Sequence, residues 1–190
     1  MDELKARIRK EGTVIGNDIL KVDHFLNHQI DPLLMRRIGR MIAVHFGDRH
    51  ISKVLTLESS GIAPALMTGL ELRVPVIFAR KKKPLTLNEG GLVTEVVSYT
   101  KKQKNPVMIE KGILRSGESI LIVDDFLARG EAALGLIRLT EMAGATVAGI
   151  GIVIEKSFQE GRRRLEETGH SVFSLARIAA LDNGQIKFSE

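Results

Sequence analysis

A chain of 190 residues, 44% apolar and 27% charged, is long enough to bury an α/β core. It has no cysteine, which excludes a disulfide framework, a thiolate metal site and a cysteine nucleophile. Its net charge of +5 points to an anionic partner, but aromatics are 4% with no tryptophan and one tyrosine. The stacking platforms of a nucleic-acid surface are therefore missing, and a small phosphorylated ligand fits better.

The opening MDELKARIRKEG is charged and amphipathic and reads as a helix over about Glu3 to Lys10. It lacks the apolar core of a signal peptide, and the longest apolar or glycine run, VAGIGIVI, is too short to span a bilayer; both point to a cytoplasmic protein. GTVIGNDILKVDHFLNHQ has little regular periodicity and reads as a small lid or hood. Asp31-Pro32 then forms an N-cap followed by proline at the first helical position. Leu33, Leu34, Ile38, Met41, Ile42 and His45 follow at helical spacing. KVLTL (Lys53 to Leu57) predicts a strand, ESSG a turn, IAPALMTGLEL a helix and VPVIFA the next strand.

Residues 84–118 break the pattern with short runs interrupted by glycine, lysine and proline, and read as an antiparallel excursion or loop. Two basic clusters flank or enter it, Ala79 to Lys83 and Thr100 to Lys104. The alternation resumes with the ILIV strand, a helix over Glu131 to Ala143 and the strand ATVAGIGIVIE. QEGRRRLEETG predicts a further helix, with Arg162 to Arg164 on its surface partnered by Glu166 and Glu167, and SVFSL a last strand. Strands alternating with helices imply a mostly parallel sheet covered on both faces, in one domain spanning residues 1–190.

The most informative stretch is SILIVDDFLARGEAALGLI, Ser119 to Ile137. A buried strand exits into two adjacent acids, Asp124 and Asp125, and ligands of such sheets bind beyond the carboxyl ends of the strands. Neighbouring strand residues face opposite ways, so the two acids cannot both cap the next helix. A carboxylate accepts well from a vicinal diol such as a ribose 2′,3′ pair. Ala128, Arg129, Gly130, Glu131 and Ala132 then bring backbone N–H groups and a helix N-terminus toward a phosphate. The competing reading is an N-cap aspartate beside a solvated one. No GxxxxGK[ST] motif is present, Gly149-x-Gly151 lies inside a strand pattern, and the five histidines are scattered.

ILIVDDFLARGEAA resembles the signature loop of type I phosphoribosyltransferases, and TLESSGIAPALMTGLEL resembles the pyrophosphate-binding loop and helix of that family. FARKKKPLT is similar to the family's basic segment that contacts the diphosphate, in some members across a dimer interface. LKVDHFLNHQIDP and GIVIEKSFQ bring the likeness nearest to the xanthine-specific bacterial members. The resemblance implies the type I α/β fold: a mostly parallel twisted sheet flanked by helices, with an N-terminal hood of about residues 1–35. It implies Mg²⁺-dependent transfer of 5-phosphoribose from phosphoribosyl pyrophosphate to N9 of xanthine by a homodimer, with Mg²⁺ held mainly by the substrate's pyrophosphate.

The family roles carried over are Asp124 and Asp125 for the ribose and residues 128–132 for the 5′-phosphate. Ser59, Ser60, Gly61, Arg80 and Lys81 would meet the diphosphate. Leu20, Asn27 and Lys156 would contact the purine. Phe158 could stack on it or sit in the core. Lys156 can donate to a 6-oxo group and would face the donor amine of adenine. Such loops often carry a small polar residue in place of Arg129 and an uncharged one in place of Glu131, whose charge would repel a nearby phosphate. Two rivals stay open: a guanine/hypoxanthine transferase, and a regulator that binds phosphoribosyl pyrophosphate only as a signal.

Overall fold

The computed structural model describes residues 1–81, 90–98, 103–182 and 184–189. Helix α1 (Asp2–Glu11) leads into a hairpin of two three-residue strands, β1 (Thr13–Ile15) and β2 (Ile19–Lys21), and then a π-helical turn at Asp23–Asn27. The sequence showed no periodicity here because three-residue strands are too short to display one. Asp31 caps α2 (Pro32–Phe46) as expected, its Oδ1 accepting from the backbone N–H groups of Leu33 and Leu34, both at 3.1 Å.

The main sheet has six strands in the order β10-β9-β8-β7-β3-β4. Strands β3 (Lys53–Leu57), β4 (Val76–Ala79), β7 (Ser119–Leu127), β8 (Thr146–Lys156) and β9 (Val172–Asp182) pair in parallel. β10 (Gln185–Phe188) closes one edge antiparallel. SVFSL is therefore only the start of β9, and β10 was not predicted: ARIAALD is alanine-rich with little β-branched or aromatic character, and QIKF is too short, to announce strands. The excursion contains an antiparallel hairpin, β5 (Leu92–Ser98) with β6 (Gln103–Ile109). Lys82, Lys83 and the stretch Thr100 to Lys102 of the basic clusters lie outside the described residues, as does most of the segment before β5.

Alternation along the buried strands sorts side chains into two layers. Val54, Leu121 and Val123 pack with α1, α2 and Ala65 of α3 (Ile62–Leu72). Leu55, Ile120 and Ile122 pack with α4 (Glu131–Met142), β6 and Leu165 of the short α5 (Gly161–Glu166). Both faces are covered, which is why these strands read as continuous apolar runs. The two glycines inside β8 answer the helix behind them: a Cβ on Gly149 would meet Phe46, and one on Gly151 would meet Ile42. From β3 the chain crosses outward through α3 to β4, and from β7 it crosses the opposite way through α4 to β8. The order thus reverses between the neighbouring strands β3 and β7, and the crevice for a ligand opens at their carboxyl ends. Among the described residues no helix is long and apolar enough to cross a membrane.

Candidate functional site

Strand β7 runs on to Leu127, so Asp124 and Asp125 lie within its last turn of pairing and the loop begins only at Ala128. Both acids are 7% exposed. Neither caps α4, whose N-cap is Gly130 with no side-chain cap; Asp124 Oδ1 instead accepts from the N–H of Asp125 at 3.0 Å. Burial first, and then the adjacent Asp125 charge, push the Asp124 carboxyl well above the usual range, with Lys81 acting in the opposite sense. Gly130 has φ +82°, a left-handed conformation that turns the chain into α4 and aims the helix's free N–H groups outward.

The loop after β3 comes to the same place. Gly61 is the N-cap of α3, and a Cβ on it would lie 2.7 Å from Asp124 Oδ1 and collide with Thr56 Oγ1. Thr56 is fully buried, and its hydroxyl has no hydrogen-bond partner among the described residues. The Glu58–Ser59 peptide is cis. Glu58 ties this loop to the end of β4, its N–H donating to Ala79 O at 3.1 Å and its carboxylate accepting from the N–H of Lys81 at 2.8 Å. Arg80 bridges to β6 through paired backbone bonds with Met108 of 2.9 and 3.0 Å, and its guanidinium lies over Phe78.

A cleft of about 770 Å³ opens beside these elements. Residues Ala128 to Ala133 form its floor, with Lys81, Lys156 and Leu57 around them and Val96, Val97 and Asn105 of the β5–β6 hairpin as a wall. Lys156 ends β8 and donates to the backbone carbonyl of Asp18 at 2.5 Å, holding the β1–β2 turn over the cleft. Burial lowers its pKa, against the attraction of Asp18. Its Nζ sits 5.8 Å from the centre of the Phe126 ring, which also lines the cleft. The predicted residues do not all face this space, and Asp124, Asp125, Ser59, Ser60, Gly61 and Arg80 are not among those that line it. Leu20 is 6% exposed and packs in the core, Asn27 is exposed at the end of the π-helical turn, and Phe158 is 38% exposed outside the cleft lining. Phe126 and Gln159 do line it, and sequence reasoning passed over both. Phe126 was hidden because it directly follows the two acids in a strand whose other apolar residues are core.

The arginines behind the loop differ from expectation too. Arg162 and Arg163 do pair with Glu166 and Glu167, at 3.0 and 2.8 Å. Arg162 also reaches inward to Glu155, which is 1% exposed, making a two-pronged pair of 2.9 and 2.7 Å. Arg164 pairs with Glu131 at 2.6 Å, so the charge expected to repel a phosphate is opposed by a cation.

The residues from 27 to 178 match the family described as the phosphoribosyl transferase domain. The chain is 55% identical to the xanthine phosphoribosyltransferase of Listeria innocua over 190 residues, covering 100% of this chain and 99% of that protein. It is 54% identical to the Bacillus cereus protein of that name over 188 residues, 99% and 95% of the two chains. The adenine phosphoribosyltransferase structure from Rhodothermus marinus superposes with a TM-score of 0.76 at 23% identity, over 94% of this chain and 100% of that one. That from Trypanosoma brucei, in complex with AMP, pyrophosphate and ribose-5-phosphate, gives 0.73 at 19% identity, over 92% and 79%.

Proposed function

Since the chain belongs to the phosphoribosyl transferase domain family, we propose that it transfers 5-phosphoribose from phosphoribosyl pyrophosphate to N9 of xanthine. The products are xanthosine 5′-monophosphate and pyrophosphate, and the reaction serves purine salvage in the cytoplasm. The observation that carries the substrate is the 55% identity over the whole chain to proteins named for xanthine. The cleft's chemistry agrees with it: Lys156 offers a donor to a 6-oxo group from one side while Phe126 offers an apolar ring nearby.

In this reading the reaction needs no covalent nucleophile. Asp124 and Asp125 accept from the ribose 2′ and 3′ hydroxyls, and the amides of residues 128–132 with the α4 N-terminus receive the 5′-phosphate. The Ser59, Ser60 and Gly61 amides, with Arg80 and Lys81, face the diphosphate. Positive charge growing at the anomeric carbon falls near the two acids, and negative charge on the leaving group falls near the cations and amides. Asn27 and Leu20 would meet the base from the hood only if the hood shifts from the conformation described, and Phe158 would stack on the base only if its side chain turns toward the cleft.

Mg²⁺ bound with the substrate's diphosphate would supply positive charge opposite the leaving group. The carboxylates and the buried Thr56 hydroxyl are hard oxygen donors that suit it, and among the described residues no three His, Asp or Glu side chains converge into a cage of their own. The active assembly in this reading is a homodimer, with Arg80 and Lys81 reaching the diphosphate.

The test is pyrophosphate release from phosphoribosyl pyrophosphate and Mg²⁺ with xanthine, guanine, hypoxanthine and adenine in parallel. Preference for xanthine is expected. Turnover of guanine or hypoxanthine in preference would refute the assigned base, and no turnover with any base would refute the enzyme.

A further inference from the structure

Helix α5 lies behind the phosphate loop and touches it at three points. The N–H of Gly161 donates to Ala128 O at 3.0 Å, and Arg164 donates to Arg129 O and to Glu131 Oε1, each at 2.6 Å. The approach is close enough that a Cβ on Gly161 would collide with Ala128 O and lie 2.9 Å from Gly130 N. From the other direction a Cβ on Gly130 would come within 3.3 Å of Gly161. The two backbones are therefore packed directly on each other, and Arg164 is the side chain that links them.

Arg164 and Glu131 are 27% and 15% exposed, so the pair is half-buried rather than a solvated surface bridge. Glu131 is also the first residue of α4, the helix end that would receive a phosphate. A carboxylate there suits the empty helix through the dipole but opposes an incoming anion. Resting on the proposed phosphoribosyl transfer, we infer that Arg164 is a positioning residue for the 5′-phosphate. It holds the carbonyl of Arg129 so that the loop's N–H groups face the cleft, and it cancels the Glu131 charge that would otherwise meet the ligand. Arg164 acts through the loop and need not touch the substrate.

Steady-state kinetics and calorimetry with ribose 5-phosphate, which carries the phosphate without base or diphosphate, test this. The set is wild type, Arg164→Gln, Arg164→Lys, Glu131→Gln and the double variant Arg164→Gln/Glu131→Gln, each with its thermal midpoint. Arg164→Gln is expected to weaken ribose 5-phosphate and to raise KM for phosphoribosyl pyrophosphate about tenfold, the scale of one like charge left uncompensated in a half-exposed site. KM for xanthine should stay within about twofold, and the double variant should regain most of the loss because the opposing charge is gone. Arg164→Lys should regain the charge, but its shorter head would reach the carbonyl and the carboxylate less well together, giving an intermediate result. Unchanged phosphate affinity in Arg164→Gln overturns the inference. So does a double variant no better than the single one, or an equal loss toward xanthine. Wild-type protein that binds ribose 5-phosphate but turns over no base would sink the proposed enzyme, while the calorimetric comparison would still decide the role of Arg164.

Discussion

Replacing Arg162 with Met would test a buried electrostatic unit outside the cleft. Glu155 is 1% exposed and accepts from Arg162 Nε and Nη2, from Ser157 and Ser174, and from Arg177 at 3.4 Å. Burial alone would raise its pKa, but the hydrogen bonds from Arg162 and Ser174, together with the Arg162 charge, win and hold it at about 2 against an ordinary 4.5. That difference amounts to at most about 3.5 kcal/mol favouring the folded, ionised state. Arg162→Met removes the larger part and leaves the serines and Arg177, so a loss of roughly 2–3 kcal/mol is expected, below the 3–5 seen when a buried charge is stranded outright.

The sign follows from the depressed pKa: the stabilisation is complete above the unfolded value of about 4.5 and is lost as pH falls through the folded value of about 2. Urea denaturation of both proteins should give a constant gap from about pH 8 to pH 5, narrowing below that. A gap under about 1 kcal/mol at neutral pH, or one that widens in acid, would refute the reasoning.

Three further outcomes are expected. Lys156→Ala should raise KM for xanthine about tenfold or more while changing KM for phosphoribosyl pyrophosphate little, because it removes one donor from the base side; equal losses in both would take Lys156 out of the base pocket. Asp124→Asn should lower kcat/KM by about 10² or more in a turnover assay yet raise the thermal midpoint by about 2–4 °C. Its raised pKa means the folded state holds the proton more tightly than the unfolded one, so wild-type stability declines as pH rises past the ordinary aspartate range. A variant that keeps the wild type's decline with pH and is no more stable would count against this. Gly61→Ala would drive a methyl onto Thr56 Oγ1 and Asp124 Oδ1, so calorimetry should show weakened binding of pyrophosphate with Mg²⁺; unaltered affinity would mean the loop yields freely.

Much of the fold was readable because both faces of the central sheet are covered, so β3, β7 and β8 appear as apolar runs flanked by helix-period stretches. The acids and the glycine loop were readable because their spacing serves a local geometry, strand end then helix N-terminus. The hood was legible only as an irregularity, since β1 and β2 are three residues each and held by a hairpin and by the Lys156 bond to Asp18 across the chain. Nothing local marks such a contact. Arg162 was read only in part and Arg164 wrongly, for the same reason: the nearby Glu166 and Glu167 explain them on a helix surface, while the partners Glu155 and Glu131 lie in other elements. Thr56 gave no sequence signal, being one residue of a regular strand.

The contrast between two buried acids separates structure from site. Asp124 and Glu155 are almost equally withdrawn from water, at 7% and 1% exposure, and both stand near the carboxyl ends of neighbouring parallel strands. Glu155 is surrounded by donors and its pKa falls; Asp124 has a second carboxylate beside it, one backbone N–H, and a distant lysine, and its pKa rises. Burial is common to both, so the opposite directions come from the partners alone. A fold seeking only stability would treat both acids alike. Instead Asp124, Asp125 and the Thr56 hydroxyl, which has no hydrogen-bond partner among the described residues, stand together where the sheet order reverses. Groups left short of partners beside a cleft are the groups a polyhydroxy, phosphorylated ligand can complete. The stability forgone at Asp124 is thus the counterpart of the binding energy expected when the ribose arrives.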